Sequence, residues 1–207
     1  MILSERFKSF QGEGIYTGVP MAFMRTVGCS VGKRVCHYCD TDFDKVYRWQ
    51  GGGEYSNQEL AEWAKPLTHV CITGGEPFDQ GAALVQLVDR LLAHDRIVHI
   101  ETSGTVPRPE GLDPMTLLTV CPKPGWLPTL VRGAHEVKVI VPGLGNGPGW
   151  PELEDALRWH SMNIPVFLQP RNEKRGINQE NLALCQSLCL THGFGLSVQT
   201  HKLLQVR

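Results

Sequence analysis

Thr68-His69-Val70-Cys71-Ile72-Thr73-Gly74-Gly75-Glu76-Pro77 decides the fold, read together with the helical stretch Gly81–His94 and the apolar run Arg96–Ile100 behind it. A short apolar run, a glycine-rich polar turn, an amphipathic helix and another apolar run make a strand–helix–strand unit. The helix carries Leu84, Leu87, Val88, Leu91 and Leu92 on one side. The same alternation extends both ways. Pro20–Val27 reads as a strand, and Ser56 with Glu59 makes a capping box opening a helix whose apolar face uses Leu60, Trp63 and Ala64. Thr116–Val120, His135–Val141 and Pro165–Gln169 read as further strands, with helices at Pro151–Ser161 and Gln179–His192 and a last strand at Leu196–Gln199. Alternation of this kind predicts a parallel sheet with helical crossovers.

Polar clusters recur at the predicted strand ends. Thr73-Gly74-Gly75-Glu76-Pro77, Glu101-Thr102-Ser103-Gly104, Cys121-Pro122-Lys123-Pro124, Gln169-Pro170-Arg171-Asn172 and Gln199-Thr200-His201-Lys202 each follow a strand. The carboxyl edge of a parallel sheet is where ligands bind. The paired glycines let a ligand approach the backbone, and Glu76 can accept a hydrogen bond from an ammonium group. A plain strand–helix turn would explain the glycines and proline, but not the acid between them.

A second feature carries chemistry. Cys29, Cys36 and Cys39 lie in one short loop. Three thiolates can hold an iron–sulfur cluster or a zinc ion and leave one coordination position open. Structural zinc wants a fourth soft ligand, and the local candidate His37 is wedged between two of the cysteines. Cys71 reads as a core residue, and Cys185 and Cys189 as small apolar side chains on one helix face.

The bulk numbers narrow the partners. The chain has 207 residues, 20 basic and 21 acidic, for a net charge of -1. One domain spanning 1–207 is expected, with no electrostatic footprint for nucleic acid. No apolar run suits a signal peptide or a membrane span. Seven cysteines, an odd number, and no secretion signal favour a cytoplasmic protein with free thiols.

Phe10-Gln11-Gly12-Glu13-Gly14, Phe23-Met24-Arg25-Thr26-Val27-Gly28-Cys29, Cys39-Asp40-Thr41, Gly74-Gly75-Glu76-Pro77, Glu101-Thr102-Ser103-Gly104, Pro122-Lys123 and Gln199-Thr200-His201-Lys202 together resemble the 7-carboxy-7-deazaguanine synthase family of the radical S-adenosylmethionine superfamily. The resemblance runs from Phe7 to Lys202. One departure from the superfamily's usual spacing is the six residues between Cys29 and Cys36, a gap that varies in this family.

The resemblance implies a partial, opened TIM-like (β/α) barrel of the radical S-adenosylmethionine type. Cys29, Cys36 and Cys39 would each hold one iron of a [4Fe–4S] cluster. S-adenosylmethionine would meet Tyr38, Cys39, Asp40, Gly75, Glu76, Ser103, Cys121, Pro122 and Lys123. Thr41 would ligate magnesium, unless it only caps a turn. Substrate contacts would come from Phe10, Gln11, Gly12, Arg25, Thr73, Gln169, Pro170, Arg171 and Asn172, with Glu13 and His201 holding the pterin edge. Arg25 suits a carboxylate because its guanidinium binds in a fork. The implied reaction is ring contraction of 6-carboxy-5,6,7,8-tetrahydropterin with loss of ammonia, in a homodimer fed by an electron donor such as flavodoxin. A glycyl-radical activase and a non-catalytic zinc module are the rival readings.

Overall fold

The structure is a computed structural model and describes residues 1–39, 41, 43–142, 144–145, 147–173 and 176–206; of 172 and 173 it describes the backbone alone. The chain runs β1 (Ile2–Phe10), β2 (Pro20–Thr26), α1 (Gly32–Val35), β3 (Gly53–Glu54), α2 (Asn57–Ala64), β4 (His69–Gly74), α3 (Ala82–Leu92) and β5 (Ile97–Thr102). It continues β6 (Leu117–Val120), α4 (Pro128–Arg132), β7 (Glu136–Val141), α5 (Leu153–Ser161), β8 (Val166–Pro170), β9 (Asn172–Glu173), β10 (Gly176–Ile177), α6 (Gln179–His192), β11 (Gly195–Leu196) and α7 (Thr200–Leu203). Among the described residues, nine strands form one sheet in the order β11-β8-β7-β6-β5-β4-β2-β1-β3. Within it β2, β4, β5, β6, β7, β8 and β11 pair in parallel and β1 joins β2 and β3 antiparallel; β9 and β10 form a separate antiparallel pair. The end strands β3 and β11 do not pair with each other, so the barrel is partial, as expected.

Side chains alternate along each strand, and that alternation divides the molecule. One face of the sheet packs Ala22, Met24, Val70, Ile72, Val98 and Ile100 against Leu60, Leu84, Leu87 and Leu91 of α2 and α3. Farther along, Val137, Val139, Val166 and Leu168 pack against Ala156 and Trp159 of α5 and Cys185 of α6. Truncating one of these fully buried leucines costs about 2–5 kcal/mol. The opposite face carries Arg25, Thr73, Glu101, Lys138 and Gln169, and there the site forms.

Local signals explain the element ends. Ser56 Oγ accepts from Glu59 N at 3.2 Å while Ser56 N donates to Glu59 Oε2 at 2.8 Å, the predicted capping box. Leu60 and Ala64 are buried as predicted, and Trp63 packs at the edge of that core. Helix α6 stops at Gly193, whose φ of 77° and N–H to Cys189 O close the last turn. One expectation is corrected and one strand is added. The strand foreseen at Leu196–Gln199 is only Gly195–Leu196, because Ser197 makes one more bond, to Leu168 O, before Thr200 N turns back to Val198 O. Strand β1 was not foreseen, since its charged sequence and the bulge between Leu3 and Glu5 blur the alternation.

Beneath the site, His69 Nδ1 and His99 Nε2 lie 2.9 Å apart, and Tyr16 meets the His99 ring edge-on. His99 is 4% exposed. Burial, then His69 and His135, push its imidazole down to about 4 from the usual 6.5. The unfolded chain therefore takes up this proton first. The stabilisation is complete above pH 6.5 and is lost as pH falls toward 4. About 2 kcal/mol should disappear between pH 7 and pH 5. Urea unfolding at both values should show that loss, and His99→Gln should largely flatten it. Among the described residues, no helix is long and apolar enough to cross a membrane.

Candidate active site

A cavity of about 660 Å³ opens at the carboxyl edge of the parallel strands, and Cys29, Cys36 and Cys39 all line it. The loop carrying them leaves β2 through Gly28 and is tied to the turn after β4. Gly28 O accepts from Glu76 N at 3.0 Å, Ser30 N donates to Asp79 Oδ2 at 2.8 Å, and Gln80 Nε2 donates to Val27 O at 3.1 Å. The long gap between Cys29 and Cys36 is taken up by the single turn of α1, closed by Cys36 N to Gly32 O at 3.2 Å. Cys39 N then donates to Cys36 O at 2.9 Å.

The three thiols are half-buried and unpaired. Burial raises the Cys29 and Cys36 thiols, so their protons must leave when a metal takes their place. Among the described residues, no three His, Cys, Asp or Glu side chains converge as single-ion ligands. Three soft donors lining one cavity would suit an iron–sulfur cluster, with these cysteines as its ligands.

The paired glycines have a different reason from the one read in the sequence. A Cβ on Gly75 would lie 1.6 Å from Gly28 O and 2.9 Å from Cys29 Cβ. One on Gly74 would lie 2.3 Å from Thr26 N. The end of β2 occupies the space beside Gly74, and the start of the cysteine loop the space beside Gly75. Gly75 still lines the cavity, but Glu76 does not share its exposure. Its carboxylate is completely buried and accepts from Phe78 N (3.1 Å), Thr102 Oγ1 (2.7 Å), Ser103 N (2.8 Å) and Ser103 Oγ. It binds the ends of β4 and β5 together. Ser103, Cys121 and Lys123 face the cavity, and Lys123 Nζ donates to Cys121 O at 3.0 Å. Pro122 is not on its wall.

Residues expected at the substrate end are gathered too. Phe10 enters from the end of β1 and Gln11, Gly12 and Glu13 from the loop after it, Arg25 and Thr73 from β2 and β4, and Gln169 and His201 from the far side. Arg25 Nε donates to Glu5 Oε1 at 2.8 Å and its NH1 group to Thr41 Oγ1 at 3.2 Å, with Thr41 on the wall. A smaller adjoining cavity of about 140 Å³ is lined by Tyr38, Pro170 and Arg171, and the Arg171 guanidinium lies 5.8 Å from the Tyr38 ring centre. The Tyr38 hydroxyl is buried without a hydrogen-bond partner, so this end lacks a polar atom that a ligand could supply. Asp40 falls outside the described residues, as does the side chain of Asn172.

Sequence reading missed Lys138 and Glu5 as members of the site and named Glu101 only within a strand-end cluster, with no role of its own. Lys138 is 3% exposed and pairs with Glu13. Glu101 accepts from Gln11 Nε2 at 3.1 Å and Thr73 Oγ1 at 2.9 Å. The usable signal was the alternation Glu136-Val137-Lys138-Val139-Ile140. Two charges on one face of an otherwise apolar strand must meet a polar interior.

No protein-family model matches the chain. Curated relatives do. A 7-carboxy-7-deazaguanine synthase of Rickettsia prowazekii is 36% identical over 213 residues, covering 97% of this chain and 86% of the relative. One of Bradyrhizobium diazoefficiens is 34% identical, covering 99% and 98%. One of Bacteroides thetaiotaomicron is 35% identical, with the same coverage of 99% and 98%. Among solved structures, QueE from Escherichia coli superposes with a TM-score of 0.74 at 28% identity, covering 96% of this chain and 93% of that one.

Proposed function

The chain belongs to the 7-carboxy-7-deazaguanine synthase family, radical S-adenosylmethionine lyases, and from that premise we propose that its cavity contracts the ring of 6-carboxy-5,6,7,8-tetrahydropterin with loss of ammonia. The observation that carries the reading is one cavity lined both by three free thiols and by a ring of carboxylate, amide and guanidinium groups. When bound, a [4Fe–4S] cluster and S-adenosylmethionine supply one-electron reduction and hydrogen-atom abstraction.

Everything else falls to the chain. Cys29, Cys36 and Cys39 hold the cluster. Gly75, Ser103, Cys121 and Lys123 shape the adjoining wall for S-adenosylmethionine, with Tyr38 along its adenine. Glu76 acts from beneath by holding Ser103 and the Gly75 turn. Gln11, Glu13, Thr73, Gln169 and His201 orient the pterin, and Arg25 faces its carboxylate. The proposal includes magnesium at Thr41. A single neutral oxygen fits a magnesium ion whose remaining ligands are substrate oxygens and water. Three thiolates need a reducing setting to accept a cluster. That favours a cytoplasmic location, and by family resemblance the reading adds a flavodoxin-like electron donor and a homodimer. The activase and zinc-module readings are not favoured by relatives that match nearly the full chain.

The test is anaerobic reconstitution with iron and sulfide, followed by incubation with carboxytetrahydropterin, S-adenosylmethionine, magnesium and a reductant. A deazapurine product and ammonia are expected. An intact cluster with no product overturns the reading, and zinc in place of iron overturns it sooner. In the same assay, Thr41→Ala should shift half-saturating magnesium upward by about tenfold while iron content stays unchanged. Identical magnesium titrations would remove Thr41 from that role.

A further inference from the structure

Lys138 is a buried cation between two carboxylates from distant parts of the chain. It pairs with Glu13 from the loop after β1, and its Nζ lies 3.7 Å from Glu101 Oε1 on β5. Neutral donors complete both acids. Gln169 and Gln199 reach Glu13 Oε1 at 3.2 and 2.7 Å, and Gln11 and Thr73 hold Glu101. Two carboxylates in one desolvated space cannot both stay ionised unaided, because each raises the other. One ammonium between them changes that outcome.

We propose that Lys138 is a positioning residue that keeps Glu13 and Glu101 together as a charged, acceptor-only pair, so that the cavity selects a heterocycle presenting N–H donors at its 2-amino-4-oxo edge. The proposal rests on the pterin reading above. An ionised carboxylate can only accept. A 2-amino group and its neighbouring ring N–H offer donors, whereas an oxygen in place of the amino group sets acceptor against acceptor. Such mismatch is expensive in a desolvated site, since polar groups are left unpaired.

Electrostatics agree with the geometry. Burial alone would raise Glu13, but the Lys138 ammonium holds it down to about 2. Burial opposes the Lys138 charge, and Cys121, Glu101 and Glu13 outweigh it. The other groups facing this pair are Cys71 on β4, Arg25 on β2 and His201 in α7. Wild type and Lys138→Arg both keep a cation beside Glu13 and His201, so the contrast between Lys138→Met and Lys138→Arg isolates the charge.

The experiment measures binding of 6-carboxypterin, a stable fluorescent analogue, to reconstituted protein from pH 5.5 to 7.5. Wild type should bind with little pH dependence. Lys138→Met should weaken about tenfold further at the acid end as one carboxylate takes up a proton, and Lys138→Arg should restore the flat profile. Weakening by the same factor at every pH overturns the proposal. Should Lys138→Met fail to fold, wild type itself decides: it should prefer 6-carboxypterin to 6-carboxylumazine by about 100-fold. Equal affinities overturn the proposal while leaving the pterin reading intact if the product assay succeeds. Binding of neither compound, with no turnover, overturns the pterin reading and the proposal with it.

Discussion

Gly75→Ala is expected to abolish activity and cluster retention in one step. The new methyl group would fall 1.6 Å from Gly28 O and 2.4 Å from its carbonyl carbon. Both are backbone atoms, so no side chain can rotate away. The cysteine loop must move outward, and Glu76 N to Gly28 O, the bond that bolts the loop down, goes with it. Overpacking of this kind costs about 1–3 kcal/mol in stability. The functional loss should be larger, because thiolates displaced by an ångström no longer share one cluster. Iron per chain after reconstitution and the urea midpoint measure the two effects separately. Gly133→Ala is the neutral control, since its Cβ would meet only Leu130 O and Thr129 O at 3.7 Å. Full iron loading in Gly75→Ala would refute the packing argument.

Glu76→Ala is the second large effect, and it should appear first as lost stability. The carboxylate receives Phe78 N, Thr102 Oγ1 and both polar groups of Ser103, with no exposed surface. Removing it leaves buried donors with no acceptor and opens a hole between β4 and β5. The expected cost is about 3–5 kcal/mol. Glu76→Gln keeps one acceptor oxygen and turns an amide N–H toward existing donors, so an intermediate loss is expected. Matched urea unfolding curves, with S-adenosylmethionine affinity measured on the same samples, test this. Wild-type stability together with a selective loss of S-adenosylmethionine affinity would restore the direct ammonium contact that the sequence suggested.

Much of the parallel sheet was legible because its helix-facing residues are plainly apolar. Val70, Ile72, Val98, Ile100, Val137 and Val139 announce buried strands whatever lies on the other side. The three cysteines and the strand-end clusters were legible because they are rare residue types at fixed offsets. They meet around a shared cavity, as the carboxyl-edge argument requires. What stayed hidden depends on pairing across long separations. The alternation Glu136-Val137-Lys138-Val139 places Lys138 on a polar inner face, but nothing local names Glu13 and Glu101 as its partners. Glu76 reads as a ligand group because its four donors come from the turn after β4 and from the end of β5 and the residue after it, brought together only by the fold. Strand β1 is held by register with β2, from Leu3 opposite Thr26 to Phe10 opposite Pro20, more than by its own apolar pattern.

The open barrel is stitched shut by the two ends of the sequence. Gly14 N donates to Ser197 Oγ at 3.2 Å, and Thr200 N and Oγ1 both reach Gly12 O, across 188 positions. Closing so long a loop is entropically slow and returns nothing until its last contacts form. The helix-backed strands can assemble from near neighbours, but the wall carrying Glu13 and His201 cannot. A refolding chain should regain its backbone signature well before it regains the ability to hold a ligand, and late folding is thereby concentrated in the part of the molecule that does the chemistry.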